Sequence, residues 1–252
     1  SWEKMPGAAV RVAVDPAGNA WVVNSGGGIY TWVNNNWVQR PGAAKDVAVC
    51  STGAVYVIGT DNAPYKWNGT NNWDKQPGGP LLNIACDGTG RLYATTPTEQ
   101  ILTAGPVATP VAIAPLPSPA PAPGAAAGWT QMPGAAVDIG AAGAGQVWVT
   151  NKGQNIYRWV NNNWTQMPGA AVRVAVDPSG NAWVVNAGGG IYHWENNNWK
   201  QIPGALTDIG VGGPAPNGTV WGVNAGQEIF RLNGTSWEKM PGAAVRVAVD
   251  PA

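Results

Sequence analysis

Trp164-Thr165-Gln166-Met167-Pro168-Gly169-Ala170-Ala171-Val172-Arg173-Val174-Ala175-Val176 decides the fold, because the chain keeps returning to it. The opening motif, W-x-x-x-P-G, begins at Trp2, Trp37, Trp73, Trp129, Trp164, Trp199 and Trp237, at spacings of 35, 36, 56, 35, 35 and 38 residues. Segments 2–37 and 164–199 differ at only six interior positions, which unrelated segments would not do. Each copy carries the same strand and turn signals. In the first copy they are an apolar run Val10–Val14, a turn at Asp15–Gly18, a run Ala20–Asn24, a Gly turn at 25–28, Ile29–Trp32, an Asn turn at 34–36, and a fourth run from Trp37. Short β-branched and aromatic runs bounded by Gly, Pro, Asn and Asp are antiparallel strands. One four-stranded sheet cannot bury both its faces, whereas a ring of them can. The expectation is an all-β, six-bladed β-propeller of four-stranded antiparallel blades. It forms one domain over 1–252, with repeats 2–36, 37–72, 73–128, 129–163, 164–198 and 199–236 and a partial seventh copy at 237–252.

Composition agrees. Charged residues are only 11%, with 35 Gly and 15 Trp, which is the reverse of a disordered chain. Zero net charge and scattered Lys and Arg argue against nucleic acid as a partner. No apolar run approaches 18 residues, so no membrane insertion is expected. No apolar signal stretch opens the chain, and secreted and cytosolic settings both stay open. The third copy carries an insertion at 104–127 with seven prolines and no charge, read as an extended excursion between blades three and four.

Indoles or tyrosines recur in the second strand, at Trp21, Tyr56, Tyr93, Trp148, Trp183 and Trp221, and Trp32, Trp67, Trp159 and Trp194 recur in the third. Most of them are expected to fill the space between adjacent blades. The innermost strand is interrupted by Arg11, Asp46, Asn83, Asp138, Arg173 and Asp208. Mixed signs suggest a water-filled, ion-paired channel wall. A hard cation held by Asp46, Asp138 and Asp208 is the alternative, against which the arginines argue.

Catalytic signatures are missing. No nucleophile elbow, metalloprotease motif or phosphate-binding loop occurs, and the triple glycine 26–28 joins two strands and opens no helix. The chain is therefore expected not to be an enzyme and to need no cofactor or metal. The single histidine, His193, stands at a variable repeat position and is expected to be exposed. Cys50 falls in the frame of Asp15 and Cys86 in that of Val14. That offset predicts side chains pointing opposite ways on adjacent inner strands, hence two buried thiols and no disulfide.

The pattern W-x-x-M-P-G-A-A-V-x-V-A-V, then W-V-V-N, then G-I-Y-x-W resembles the tectonin repeat. It stands at 2–32 and 164–194 and, with small changes, at 129–159. The resemblance covers all but the insertion. It implies a propeller lectin of innate defence or cell recognition that binds glycans such as bacterial lipopolysaccharide sugars, N-acetylglucosamine or O-methylated glycans.

A sugar presents a C–H face and a rim of hydroxyls, which suit an aromatic platform beside amide groups. The candidate ligand-binding residues are Trp21, Asn24 and Tyr30 in copy one, and Trp148, Asn151 and Tyr157 in copy four. Copy five supplies Trp183, Asn186 and Tyr192. Copy six supplies Trp221 and Asn224, with Phe230 for the tyrosine. Repetition would make the protein multivalent. Copies two and three have Gly59 and Thr96 for the Asn. If the Asn touches ligand, about four sites are intact; if it only caps a turn, no site count follows.

The alternative function is a scaffold or assembly protein that holds protein partners on its propeller faces. The Pro-rich insertion and the duplicated ends favour it. Residues 1–17 and 236–252 are identical, so one copy of the outer and inner strands is surplus to a ring of six. The favoured outcome is closure within one molecule with one mobile end. The other outcome is self-association through the duplicated terminal strands.

Overall fold

The computed structural model describes residues 9–15, 19–34, 36–105, 128–143, 145–213 and 218–249. All of the Pro-rich insertion beyond Gly105 lies outside the described residues, as does the outer strand expected from Trp2. The described residues form 23 strands and no helix.

The strands fall into antiparallel groups of four, each built by consecutive strands. Unit one is β1 (Arg11–Val14), β2 (Ala20–Val23), β3 (Gly28–Val33) and the first part of β4 (Asn36–Val49). Unit two takes the rest of β4 with β5 (Val55–Gly59), β6 (Pro64–Trp67) and β7 (Trp73–Lys75). Because β4 pairs with β3 and then, from Ala44 onward, with β5, these two units form one seven-stranded sheet. Unit three is β8 (Asn83–Cys86), β9 (Leu92–Thr95), β10 (Gln100–Ala104) and β11 (Trp129–Ala135). Unit four is β12 (Asp138–Ala142), β13 (Gln146–Thr150), β14 (Asn155–Val160) and β15 (Asn163–Ala170). Unit five is β16 (Arg173–Val176), β17 (Ala182–Val185), β18 (Ile191–Glu195) and β19 (Asn198–Ile202). Unit six is β20 (Asp208–Gly212), β21 (Thr219–Val223), β22 (Glu228–Asn233) and β23 (Ser236–Ala243).

Burial runs from the first strand of a unit outward. Strands β12, β17 and β20 are buried at every position, whereas β15 and β19 are mostly exposed. The first strands stand side by side in chain order, and each gap between units holds its own apolar cluster. Tight turns close the outer hairpins. Asn161-Asn162 and Asn196-Asn197 all have positive φ, between 51° and 61°, the twist that a two-residue hairpin needs and that Asn tolerates.

The W-x-x-x-P-G motif is a clasp between units. Five outer-strand indoles donate their N–H to the proline carbonyl of the preceding unit: Trp73 to Pro41, Trp129 to Pro77, Trp164 to Pro133, Trp199 to Pro168 and Trp237 to Pro203, at 2.6–2.8 Å. The glycine after that proline has positive φ, from 86° at Gly42 to 125° at Gly204. A side chain on Gly78 or Gly204 would also run into the indole, at 2.4 and 2.9 Å. Glycine is thus required twice at this bulge, for its backbone angle and for the approach of the ring.

Two expectations are corrected. Cys50 and Cys86 form a disulfide, with Cα atoms 5.2 Å apart. Neighbouring units confront each other with opposite faces, so residues that meet across a gap have opposite parity. Ala13 of unit one packs with Val47 and Val49 of unit two, and Ala48 and Cys50 pack with Ile84 and Cys86 of unit three. The one-residue offset therefore brings the two sulfurs together. His193 is buried, stacked on Trp183 with centroids 4.2 Å apart, and its Nε2 lies 3.1 Å from Asp177 Oδ2. Its register partner is Trp183, so its side chain enters the gap between units. Both copies of the duplicated inner segment are packed, while the outer strand from Trp2, on which a mobile end would fall, lies outside the described residues. Val247 N donates to Asp208 (2.8 Å) and Ala248 N to the Val12 carbonyl (2.7 Å), so residues 246–249 lie between β20 and β1.

Candidate functional site

The turn between the second and third strands of each unit is closed by a side-chain acceptor. Asn24 Oδ1 accepts from Gly26 N (3.0 Å) and Gly28 N (2.8 Å), and Asn186 Oδ1 accepts from Gly188 N (3.0 Å) and Gly190 N (2.8 Å). Asn151 and Asn224 cap the same turn through Asn155 N and Glu228 N, both at 2.9 Å. Capping occupies the amide oxygen and leaves the amide nitrogen for other use.

Units one and five keep that nitrogen open beside a tyrosine. A carbon placed on Gly28 would lie 3.0 Å from Tyr30 Cε2, and 3.2 Å from both Asn24 Nδ2 and Tyr30 Oη. At Gly190 it would lie 3.0 Å from Asn186 Nδ2 and 3.2 Å from Tyr192 Cε2. Glycine lets the amide nitrogen and the tyrosine ring pack side by side against the turn, where a Cβ would be crowded. The outer-strand neighbours of these tyrosines, Gln39 and Gln201, are exposed and share their face.

The other units arrange this turn differently. In unit four Asn155 occupies the glycine position and Gln166 reaches it at 3.4 Å, beside Asn151 and Tyr157. In unit six Asn224 Nδ2 donates to Glu228 (2.8 Å), and Phe230 replaces the tyrosine. In unit two Asp61 accepts from Ala63 N and from the Tyr65 hydroxyl (2.9 Å). Those bonds, the backbone one first, hold its carboxyl down at about 2. In unit three Thr96 Oγ1 caps the turn by accepting from Gln100 N (3.0 Å), and Leu102 stands for the tyrosine.

The second-strand indoles lie elsewhere. Trp21 pairs in register with Thr31, and Val22 with Tyr30, so Trp21 and Tyr30 point to opposite faces of unit one. Trp21 meets Trp67 and Trp73 of unit two, at 5.6 and 6.0 Å. Trp148, fully buried, meets Trp194 and Trp199 of unit five and shares its gap with Tyr192 rather than Tyr157. Trp183 is buried in the gap toward unit six, and Trp221 is half-buried. The structure brings Asn24 to Tyr30 and Asn186 to Tyr192, and turns Trp21 and Trp183 to the opposite face from those tyrosines.

The first strands line a cavity of about 140 Å³. Its wall is ion-paired: Arg11 Nε donates to Asp46 (2.8 Å), and Asp208 lies 3.2 Å from Arg173 and 3.0 Å from Arg246. Asp46, Asp138 and Asp208 each accept a main-chain N–H from the next inner segment, at Ile84, Val174 and Val247. This cross-gap bond gave no signal in the sequence. Burial raises the carboxyls of all three, Asp138 to about 6. Among the described residues no helix is long and apolar enough to cross a membrane, and no group of three His, Cys, Asp or Glu side chains could hold a metal ion.

A tectonin-domain family model matches residues 1–105 and 134–216. The chain belongs to the tectonin family. Solved structures superpose on it at low identity. Human WBSCR16 superposes with a TM-score of 0.69 at 10% identity, covering 99% of this chain and 87% of that one. The β-propeller domain of Cps50 (Swd1) from Myceliophteria thermophila gives 0.68 at 9% identity, covering 99% and 92%. YCF48 bound to D1 peptide gives 0.61 at 14% identity, covering 95% and 84%. No curated protein sequence matches the chain. The four-stranded units are thus the blades of a tectonin propeller.

Proposed function

We propose that this tectonin propeller is a closed six-bladed lectin whose best-formed sugar sites are the second-to-third-strand turns of blades one and five. One observation carries the reading: Asn24 with Tyr30, and Asn186 with Tyr192, bring an amide nitrogen and a tyrosine side by side at a glycine turn. A tyrosine ring offers a surface to the C–H face of a pyranose, while the amide nitrogen and phenol hydroxyl suit its hydroxyls. The turn does not need the amide nitrogen, since Thr96 closes the same turn with a hydroxyl. Asn151 with Tyr157, and Asn224, form partly filled versions. Trp21, Trp148, Trp183 and Trp221 support the sites from within the blade packing. Two weak sites on one rigid body gain avidity on a dense cell-surface glycan, in keeping with recognition in innate defence.

Asn→Asp separates the cap from the donor, because a carboxylate keeps the accepting oxygen and loses the N–H. With the best ligand from a broad glycan array, Asn24→Asp with Asn186→Asp is expected to weaken binding about tenfold, roughly one hydrogen bond per site, with unchanged melting temperature. Unchanged affinity would remove these turns from the function. The second reading is a scaffold for protein partners, favoured by the D1 peptide bound to YCF48. Silence across the array together with recovery of a protein partner selects it.

A further inference from the structure

The gap between blades one and two holds a cation without an anion. Arg40 stands at a repeat position that other copies fill with Met132, Met167, Ile202, Met240 or Gln76, and Met132 and Met240 are buried there. Its guanidinium lies over two indoles, 5.8 Å from the Trp21 ring and 5.2 Å from the Trp67 ring. Arg40 Nε donates to the buried Thr31 hydroxyl at 2.6 Å, which fixes the head group in the gap. Among the described residues Arg11, Arg173, Arg231 and Arg246 each meet a carboxylate within 3.2 Å, and Arg40 meets none. A second donor in the same gap also lacks an acceptor: Trp21, 5% exposed, has its Nε1 unpaired. In the matching positions, Trp148 of blade four satisfies its N–H on the Gly180 carbonyl at 3.0 Å, whereas Trp183 of blade five is unpaired as Trp21 is, so it is Arg40 that sets this gap apart.

We infer that this gap binds an oxyanion, taken up as a sulfate, phosphate or carboxylate group. A planar guanidinium pre-oriented on aromatic faces suits bidentate oxyanion binding. The partial burial of the site strengthens the attraction over that of a solvated arginine. On a glycan, the same gap would prefer an acidic sugar to its neutral parent. The anion site is independent of the sugar reading, since inorganic sulfate tests it directly.

The intact chain and Arg40→Met, which restores the residue of the other copies, are titrated with sulfate against chloride at matched ionic strength. Tryptophan fluorescence and melting temperature are read. A saturable response in the parent that is absent from the variant is expected. N-acetylglucosamine, its 6-sulfate and its 6-phosphate are then compared. At least a tenfold preference for one or both esters in the parent, falling to about one in the variant, assigns the anion source. If no sugar binds but the sulfate response still depends on Arg40, the anion site stands and the sugar reading falls. Equal sulfate responses in parent and variant, or none in either, overturn the proposal. Should Met at 40 prevent folding, Arg40→Gln, the residue found at Gln76, carries the same comparison.

Discussion

Blades three and five share one backbone plan and reach it by different chemistry. In blade five the turn is capped by Asn186, and the Asn186 amide and Tyr192 pack against the glycine at 190. In blade three Thr96 caps the turn, Gln100 stands at the glycine position, and the buried Leu102 replaces the tyrosine. Only an acceptor at the cap is common to both, so the fold requires that acceptor and nothing more. The extra amide N–H, the tyrosine and the glycine of blade five are surplus to folding, which is the argument for a ligand there. Blade three has instead gained the covalent link to blade two.

That link is the largest expected difference between the two regions. Cys50 and Cys86 are 36 residues apart, so the cross-link is worth about 3–4 kcal/mol on the loop-entropy account. Replacing both by Ser is expected to lower the melting temperature by roughly 10 °C in calorimetry. Hydrogen exchange should quicken first in blades two and three and least in blade five. Uniform quickening would show that blade three needs no staple.

A smaller effect comes from giving blade four the solution of blade three. Asn83 fills the inner polar position of blade three and donates to the Val137 carbonyl at 3.0 Å, where blade four has Asp138 with its carboxyl raised to about 6. Because the folded carboxyl holds its proton longer than the unfolded one, Asp138 costs nothing below about pH 4. The cost grows as pH rises toward 6 and is constant above that. Asp138→Asn keeps an acceptor for Val174 N and removes the charge. It is expected to stabilise the protein by up to about 3 kcal/mol at pH 7.5 and by little at pH 4, measured by denaturant unfolding at both values. A gain independent of pH would show that the buried charge is not the cause.

The smallest change moves a blade-three residue into blade five. His193 corresponds to Thr103, whose hydroxyl donates to the Leu92 carbonyl at 3.1 Å. His193→Thr removes the stack on Trp183 and one partner of the buried Asp177, which keeps its bonds from Ser179 N and Asn181 N. A loss of about 1 kcal/mol is expected, with sugar affinity unchanged. A loss of affinity would extend the site into the gap between blades.

The repeat by itself determined the strands, their grouping in fours and the polar interruption of the inner strand. Those features depend on local periodicity and turn chemistry, which each copy restates. Strands expected at Val10–Val14, Ala20–Asn24 and Ile29–Trp32 are found within a residue or two of those limits. The candidate site was legible in part: Asn24 and Tyr30, and Asn186 and Tyr192, do come together because they flank one short turn. The contacts between copies were decided by the tertiary structure. Stacking opposite faces reverses the parity rule that holds inside a sheet, so Cys50 meets Cys86, Trp148 meets Tyr192, and the lone His193 is buried. A strand's alternation says which two faces its side chains take, and only the packed neighbour decides what each face touches.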